Sequence, residues 1–240
     1  MASIYLIRHG QASFGKADYD QLSEKGAEQA KILGKYWQSM PAPTQIYAGD
    51  LLRHGQTLDN FLLGYQGKKP STILHSGFNE FNHVDILSCY DEKWQDFAKM
   101  AALISQKSYS NKTFQKDFAQ ALSRWVSSTF DDEYKESWGQ FKRRCISALQ
   151  DVMNQARGAK KNAPKSNHSD EICIFTSGGT ISAIVQEVMG LSDEKILLVN
   201  QQIRNTSVTK LLFSDNKVNI DYLNNFNHLT IAGNDWVTFR

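Results

Sequence analysis

The side chains best suited to chemistry in this chain sit where apolar runs stop. His9 follows Arg8 and precedes Gly10, directly after Ile4-Tyr5-Leu6-Ile7. Imidazole is a nucleophile at neutral pH and forms covalent intermediates with phosphoryl groups. The adjacent guanidinium offers a planar fork of donors to phosphate oxygens. Gly10 lets the backbone turn and approach an anion closely. A second arginine, Arg53, follows another apolar run within Asp50-Leu51-Leu52-Arg53-His54-Gly55-Gln56-Thr57.

The elements that must position these groups alternate between strand and helix. Ile4–Ile7 and 171–176 read as buried strands of a parallel or mixed sheet, with 45–49 as a second strand and 71–74 as a third, shorter one. In such sheets, ligands bind beyond the carboxyl ends of the strands. Arg8, His9 and Arg53 therefore face one edge. Ser23 is expected to cap a helix reaching about Met40, stopped by Pro41-Ala42-Pro43. Gly26, within its first turns, implies close packing on the sheet. A second helix starts after Asp50, its expected N-cap. His54, next to Arg53 on that helix, is expected to face elsewhere in a structural role. Helix-like apolar spacing recurs over 94–106, 114–130 and 137–157, and 158–170 reads as a loop. A further helix runs from the Ser177-Gly178-Gly179-Thr180 turn to about Met189. Val208–Phe213 and 218–223 form a hairpin around Asp215-Asn216.

Two motifs in order connect these observations. Arg8-His9-Gly10 after an N-terminal strand, followed by Leu22-Ser23-Glu24-Lys25-Gly26-Ala27-Glu28-Gln29-Ala30, resembles the histidine phosphatase superfamily, also called phosphoglycerate mutase-like. Asp50 to Thr57 resembles its Ser-x-x-x-Arg-x-x-Gln-Thr element, with Arg53 at the arginine position. Ser76 to His83 resembles its Leu-x-Glu segment, in which the glutamate protonates the leaving group. The resemblance covers roughly residues 1–83 and 170–240 by motif, and the middle by architecture alone. It implies an α/β three-layer sandwich with a central mostly parallel sheet. It also implies one domain over 1–240, with a helical insertion at about 84–160 over the active edge.

The implied reaction is phosphate monoester hydrolysis through a phosphohistidine on His9, with Arg8, Arg53 and Glu80 as its catalytic partners. Arg8, Gln11, Arg53, Ser177 and Gly178 are the expected substrate contacts. His83 is a second candidate for proton transfer or substrate contact, and His228 is expected to be structural. The chemistry needs no cofactor and no metal. One departure stands out: Ser177 occupies the strand end where the family usually carries His-Gly-Gly. A serine hydroxyl supplies one hydrogen bond and no imidazolium charge. Losing one preorganised donor often costs about two to three orders of magnitude in rate. Three alternatives stay open: a phospho-ligand-binding module without turnover, a mutase, and a serine hydrolase using Ser177, although Phe175 breaks the Gly-x-Ser-x-Gly pattern.

Composition narrows the partners. With 27 basic and 25 acidic residues, the chain has no electrostatic case for nucleic acid or a membrane surface. Cys89, Cys145 and Cys173 are odd in number and far apart, so neither a disulfide framework nor a metal pair is expected, and Cys173 reads as core. No apolar run reaches membrane length. The expected setting is cytoplasmic, and the expected partner is a phosphorylated small molecule or phosphoprotein.

Overall fold

In the computed structural model, which describes residues 2–13, 20–96, 111–162, 169–214 and 217–239, the apolar runs pair into one six-stranded sheet. The strands are β1 (Ala2–Arg8), β2 (Gln45–Ala48), β3 (Thr72–Leu74), β4 (Glu171–Thr176), β5 (Val208–Phe213) and β6 (Val218–Asn225). Their order is β3-β2-β4-β1-β5-β6. The first four in that order are mutually parallel, and β5 and β6 join antiparallel.

Alternation along the strands explains why the middle residues of β1 and β4, Ile4–Ile7 and Ile172–Phe175, are all apolar. Ile4, Leu6, Ile172 and Ile174 feed the core on one face, while Tyr5, Ile7, Cys173 and Phe175 feed the core on the other. A parallel sheet covered on both faces requires this. Helices α1 (Glu24–Tyr36) and α2 (Leu52–Gly64) cover the second face through Leu33, Leu58 and Phe61. The first face is covered by α3 (His83–Tyr90), α4 (Asn111–Val126), α5 (Trp138–Asn162), α6 (Gly178–Met189) and α7 (Asp193–Gln202). A short α8 (Asn227–Ala232) follows β6. The α/β three-layer architecture is the one the sequence implies.

Local details differ from expectation in instructive ways. Ser23 does cap α1, accepting from the Gly26 N–H at 3.0 Å. Gly26, however, packs on the loop after β1 rather than on the sheet: a Cβ there would lie 2.1 Å from the Gln11 carbonyl oxygen. Asp50 is not the N-cap of α2. That position is Leu51, and Asp20, from a distant loop, accepts from the Leu52 N–H at 2.8 Å. The helix α5 runs five residues beyond the expected end at Arg157, into the stretch read as a loop. In place of the start of a helix at Trp94 there is a 3-10 turn, Glu92–Trp94. The rest of that expected helix, from residue 97, and the Asp215-Asn216 turn lie outside the described residues. The helices α7 and α8 had no counterpart in the sequence reading. Cys173 is buried in the core, and all three cysteines are free. Among the described residues, no helix is long and apolar enough to cross a membrane.

His228 is structural, as expected. It is buried in α8, with Nε2 3.0 Å from the Thr206 hydroxyl. Burial pulls its pKa down to about 3. Its folded value lies below the ordinary 6.5, so the unfolded chain takes up this proton first as pH falls. Stability due to this group is complete above about pH 6.5 and erodes between there and about pH 3, by about 1.4 kcal/mol per pH unit. Melting temperatures measured from pH 7.5 to 4.5 should therefore fall on acidification, with a shallower slope in His228→Gln. An unchanged slope would contradict this.

Candidate active site

Strand register brings the candidate residues together. Arg8 of β1 pairs with Thr176 of β4, and the His9 N–H donates to the Thr176 carbonyl at 2.8 Å. The next residue on each strand, His9 and Ser177, thus stands side by side at the carboxyl edge. The neighbouring end of β2 is tied in by the Gly49 N–H, which donates to the Phe175 carbonyl at 3.1 Å.

His9 is 7% exposed. Its Nδ1 lies 2.7 Å from the Gly10 carbonyl oxygen. A carbonyl can only accept, so Nδ1 carries the proton and Nε2 keeps the lone pair. Burial, and then the charges of Arg53 and Arg8, hold the His9 pKa well below the ordinary imidazole value. The ring is thus neutral at physiological pH. The Thr57 hydroxyl braces this loop, accepting from the Gly10 N–H at 3.1 Å and donating to the Arg53 carbonyl at 2.6 Å.

The two arginines reach the site from different elements. Arg53 is buried in the first turn of α2, and its Nη1 donates to Asp20 at 2.6 Å. Its charge also lowers the pKa values of His54 and His83, the latter to about 4, with burial the larger cause in both. Arg8 donates through Nη1 to the Ile203 and Phe239 carbonyls. The segment holding Phe239 is itself fixed: the Thr238 carbonyl accepts from the Asn205 N–H, and Gln29 donates to the Trp236 carbonyl at 2.7 Å.

Glu80 lies against the start of α6, where its Oε2 accepts from the Gly179 N–H at 3.1 Å. Burial raises its pKa, against the lowering effects of that N–H and of Arg53. The Thr176 and Thr180 hydroxyls hold its loop by donating to the Phe78 and Asn79 carbonyls at 2.6 and 3.0 Å. Arg144 of α5 clamps the same loop: Nη1 reaches the Ser76, Gly77 and Asn79 carbonyls, while Nε and Nη2 pair with Glu136. Behind it, Phe81, Trp125, Phe141 and Trp138 pack ring to ring. These aromatics are core.

The remaining expected contacts are placed as follows. Gln11 is half-buried, and its Oε1 accepts from the Ser23 hydroxyl at 3.2 Å. Gly178 opens α6 beside Arg8: a Cβ there would lie 3.5 Å from the Arg8 Nε and 2.9 Å from Asn200 Oδ1. Ser177 is fully buried. Its hydroxyl lies 2.6 Å from His54 Nε2, and the His54 ring centroid is 5.9 Å from that of His9. The expectation that His54 faces away is therefore wrong. The first turn of α2 sits over the strand ends, so consecutive residues there both point inward. Asp20, Asn200 and Arg144 were also missed. Nothing local in the sequence marks a cap or clamp that arrives from a distant segment.

The arrangement amounts to a neutral imidazole with an available Nε2, two guanidinium groups, an elevated carboxyl group and a helix N-terminus, converging on one edge. The family model described as the histidine phosphatase superfamily, branch 1, matches residues 4–226. Solved structures with a similar fold include a phosphoglycerate mutase from Bacillus anthracis, 17% identical, with a TM-score of 0.63 over 95% of this chain and 94% of that one. A phosphoserine phosphatase from Entamoeba histolytica is 17% identical, with a TM-score of 0.62 over 95% and 100% of the two chains. A mycobacterial glucosyl-3-phosphoglycerate phosphatase is 16% identical, with a TM-score of 0.61 over 93% and 99%. A search of curated proteins found no match to the sequence.

Proposed function

The chain belongs to the histidine phosphatase superfamily, branch 1, and from that membership and the surroundings of His9 we propose that it hydrolyses phosphate monoesters through a phosphohistidine. The observation that carries this reading is the Nδ1 contact of His9 with the Gly10 carbonyl, which leaves Nε2 as the basic nitrogen of a buried, neutral ring. In the first step, Nε2 attacks phosphorus and the ester P–O bond breaks. Glu80 passes its proton to the departing oxygen, a role suited to a carboxyl group whose pKa is raised. Arg8, Arg53 and the start of α6 take the charge spreading over the phosphoryl oxygens. In the second step, water attacks phosphorus, the Glu80 carboxylate accepts its proton, the N–P bond breaks and inorganic phosphate leaves.

The substrate under this reading is a phosphorylated small molecule or phosphoprotein. The phosphoserine phosphatase from Entamoeba histolytica has been solved in complex with phosphoserine and with 3-phosphoglyceric acid, which supports the former. A second reading, binding without turnover, has one observation in its favour. Ser177, fully buried at the end of β4, offers the phosphoryl oxygens no imidazolium charge, and it stands where the family usually carries a histidine. Phosphate release from a panel of phosphomonoesters, assayed in chelator, separates the two. Turnover of any member supports hydrolysis. Saturable binding of an ester with no release supports the binding module instead.

A further inference from the structure

Deepening the phosphatase reading and resting on it, we propose that Arg144 is a positioning residue for the general acid: through the backbone of Ser76 to Asn79 it fixes where the Glu80 carboxyl group stands. The 3-10 turn Ser76–Phe78 and then Asn79 lead directly into Glu80. Each of these four residues offers a carbonyl to a side chain from another element. Arg144 Nη1, on α5, donates to those of Ser76, Gly77 and Asn79 at 3.2, 3.2 and 3.1 Å. The Thr176 hydroxyl, at the end of β4, donates to that of Phe78 at 2.6 Å, and the Thr180 hydroxyl, on α6, to that of Asn79 at 3.0 Å.

The turn closes without these bonds. Its own N–H groups suffice: Phe78 donates to the His75 carbonyl and Asn79 to that of Ser76, both at 3.0 Å. What the side chains add is a fixed place relative to β4, α6 and α5. The first two carry the strand end and helix start of the site, so the threonines tie the turn to the phosphoryl edge. Arg144 ties it from the opposite side.

The guanidinium is held for this task. Nε and Nη2 donate to Glu136 Oε1 and Oε2 at 2.7 and 2.8 Å, a bidentate pair that sets its plane and aims Nη1 at the turn. Gly77 permits the close approach of α5. A Cβ there would lie 2.5 Å from the Ala148 Cβ, one helical turn beyond Arg144. A general acid must stand within hydrogen-bond reach of the departing oxygen. A misplacement of about 1 Å can cost about 10²-fold in rate. The helical segment in which the sequence shows no catalytic motif thereby acts on the proton transfer.

The test is the phosphorylation step, followed by single turnover with an alkyl ester and with a nitrophenyl ester. Arg144→Met should slow it by about 10- to 100-fold for the alkyl ester, which needs the proton, and by less than about threefold for the nitrophenyl ester. A general loosening of the site would slow both alike. In a Glu80→Gln background, Arg144→Met should cost the alkyl ester less than about twofold more, because the acid it positions is already gone. If Arg144→Met melts below the assay temperature, Arg144→Met with Glu136→Leu, which leaves no stranded carboxylate, takes its place. Equal slowing of the two esters would overturn the proposal. So would multiplicative losses with Glu80→Gln, or alkyl-ester phosphorylation within about twofold of wild type in the folded variant. In each of those cases the hydrolysis reading survives, since wild type still turns over. A wild type silent on every ester removes both.

Discussion

Replacing His9 by alanine is expected to lower kcat by about four to six orders of magnitude, the scale seen when a covalent nucleophile is removed. The size follows from the surroundings. In the proposed reaction His9 forms the covalent bond to phosphorus, through the Nε2 that its Nδ1 contact with the Gly10 carbonyl leaves as the basic nitrogen. The fold should tolerate the change, because the strand-end contact to Thr176 uses the His9 backbone. Phosphate release by wild type and His9→Ala, with melting curves for both, measures this. Retention of more than about one per cent of wild-type kcat by the folded variant would contradict it.

Glu80→Gln is expected to lower kcat by about 10²- to 10⁴-fold, the usual contribution of general acid–base catalysis. The loss should depend on the leaving group. An alkyl ester departs as a strongly basic alkoxide and needs the proton. An ester of an acidic nitrophenol departs without one, so its first step should be nearly unaffected. The Gly179 N–H that holds Glu80 remains available to the glutamine oxygen, which limits structural disturbance. The sign of the pH dependence also follows. Glu80 must be protonated for the first step and its pKa is raised, so phosphorylation should slow as pH rises through that value. His9 must be neutral and its pKa is depressed, so the acid limb should lie below the ordinary imidazole range. Equal losses in the phosphorylation step of Glu80→Gln for alkyl and nitrophenyl esters, measured by single turnover, would remove Glu80 as the acid.

Much of this was legible because it is local. An apolar run ending in Arg8-His9-Gly10 tells where the strand stops and what stands at its edge, and the register of β1 with β4 then makes Ser177 the neighbour of His9. The same holds for the strand that ends before Arg53. What could not be read came from a distance. Asp20 serves α2 from a loop more than thirty positions earlier in sequence. The Phe239 carbonyl meets Arg8 through the main chain, which no side-chain pattern announces. His54 was misplaced for a different reason. Residues next to each other on a helix point about 100° apart, a sound rule for a helix lying flat on a sheet. The first turn of α2 instead overhangs the strand ends, and both directions lead into the site. The serine at 177, read alone, looked like a lost imidazole; the fold puts an imidazole one hydrogen bond behind it.

The central claim is the covalent intermediate, and it can be tested by rapid quench with a substrate carrying a labelled phosphoryl group. The account predicts a transient label on His9, stable in alkali and lost in acid as expected of a phosphoramidate, and absent from His9→Ala. Label on Ser177, or phosphate release with no labelled protein at any time point, would contradict it.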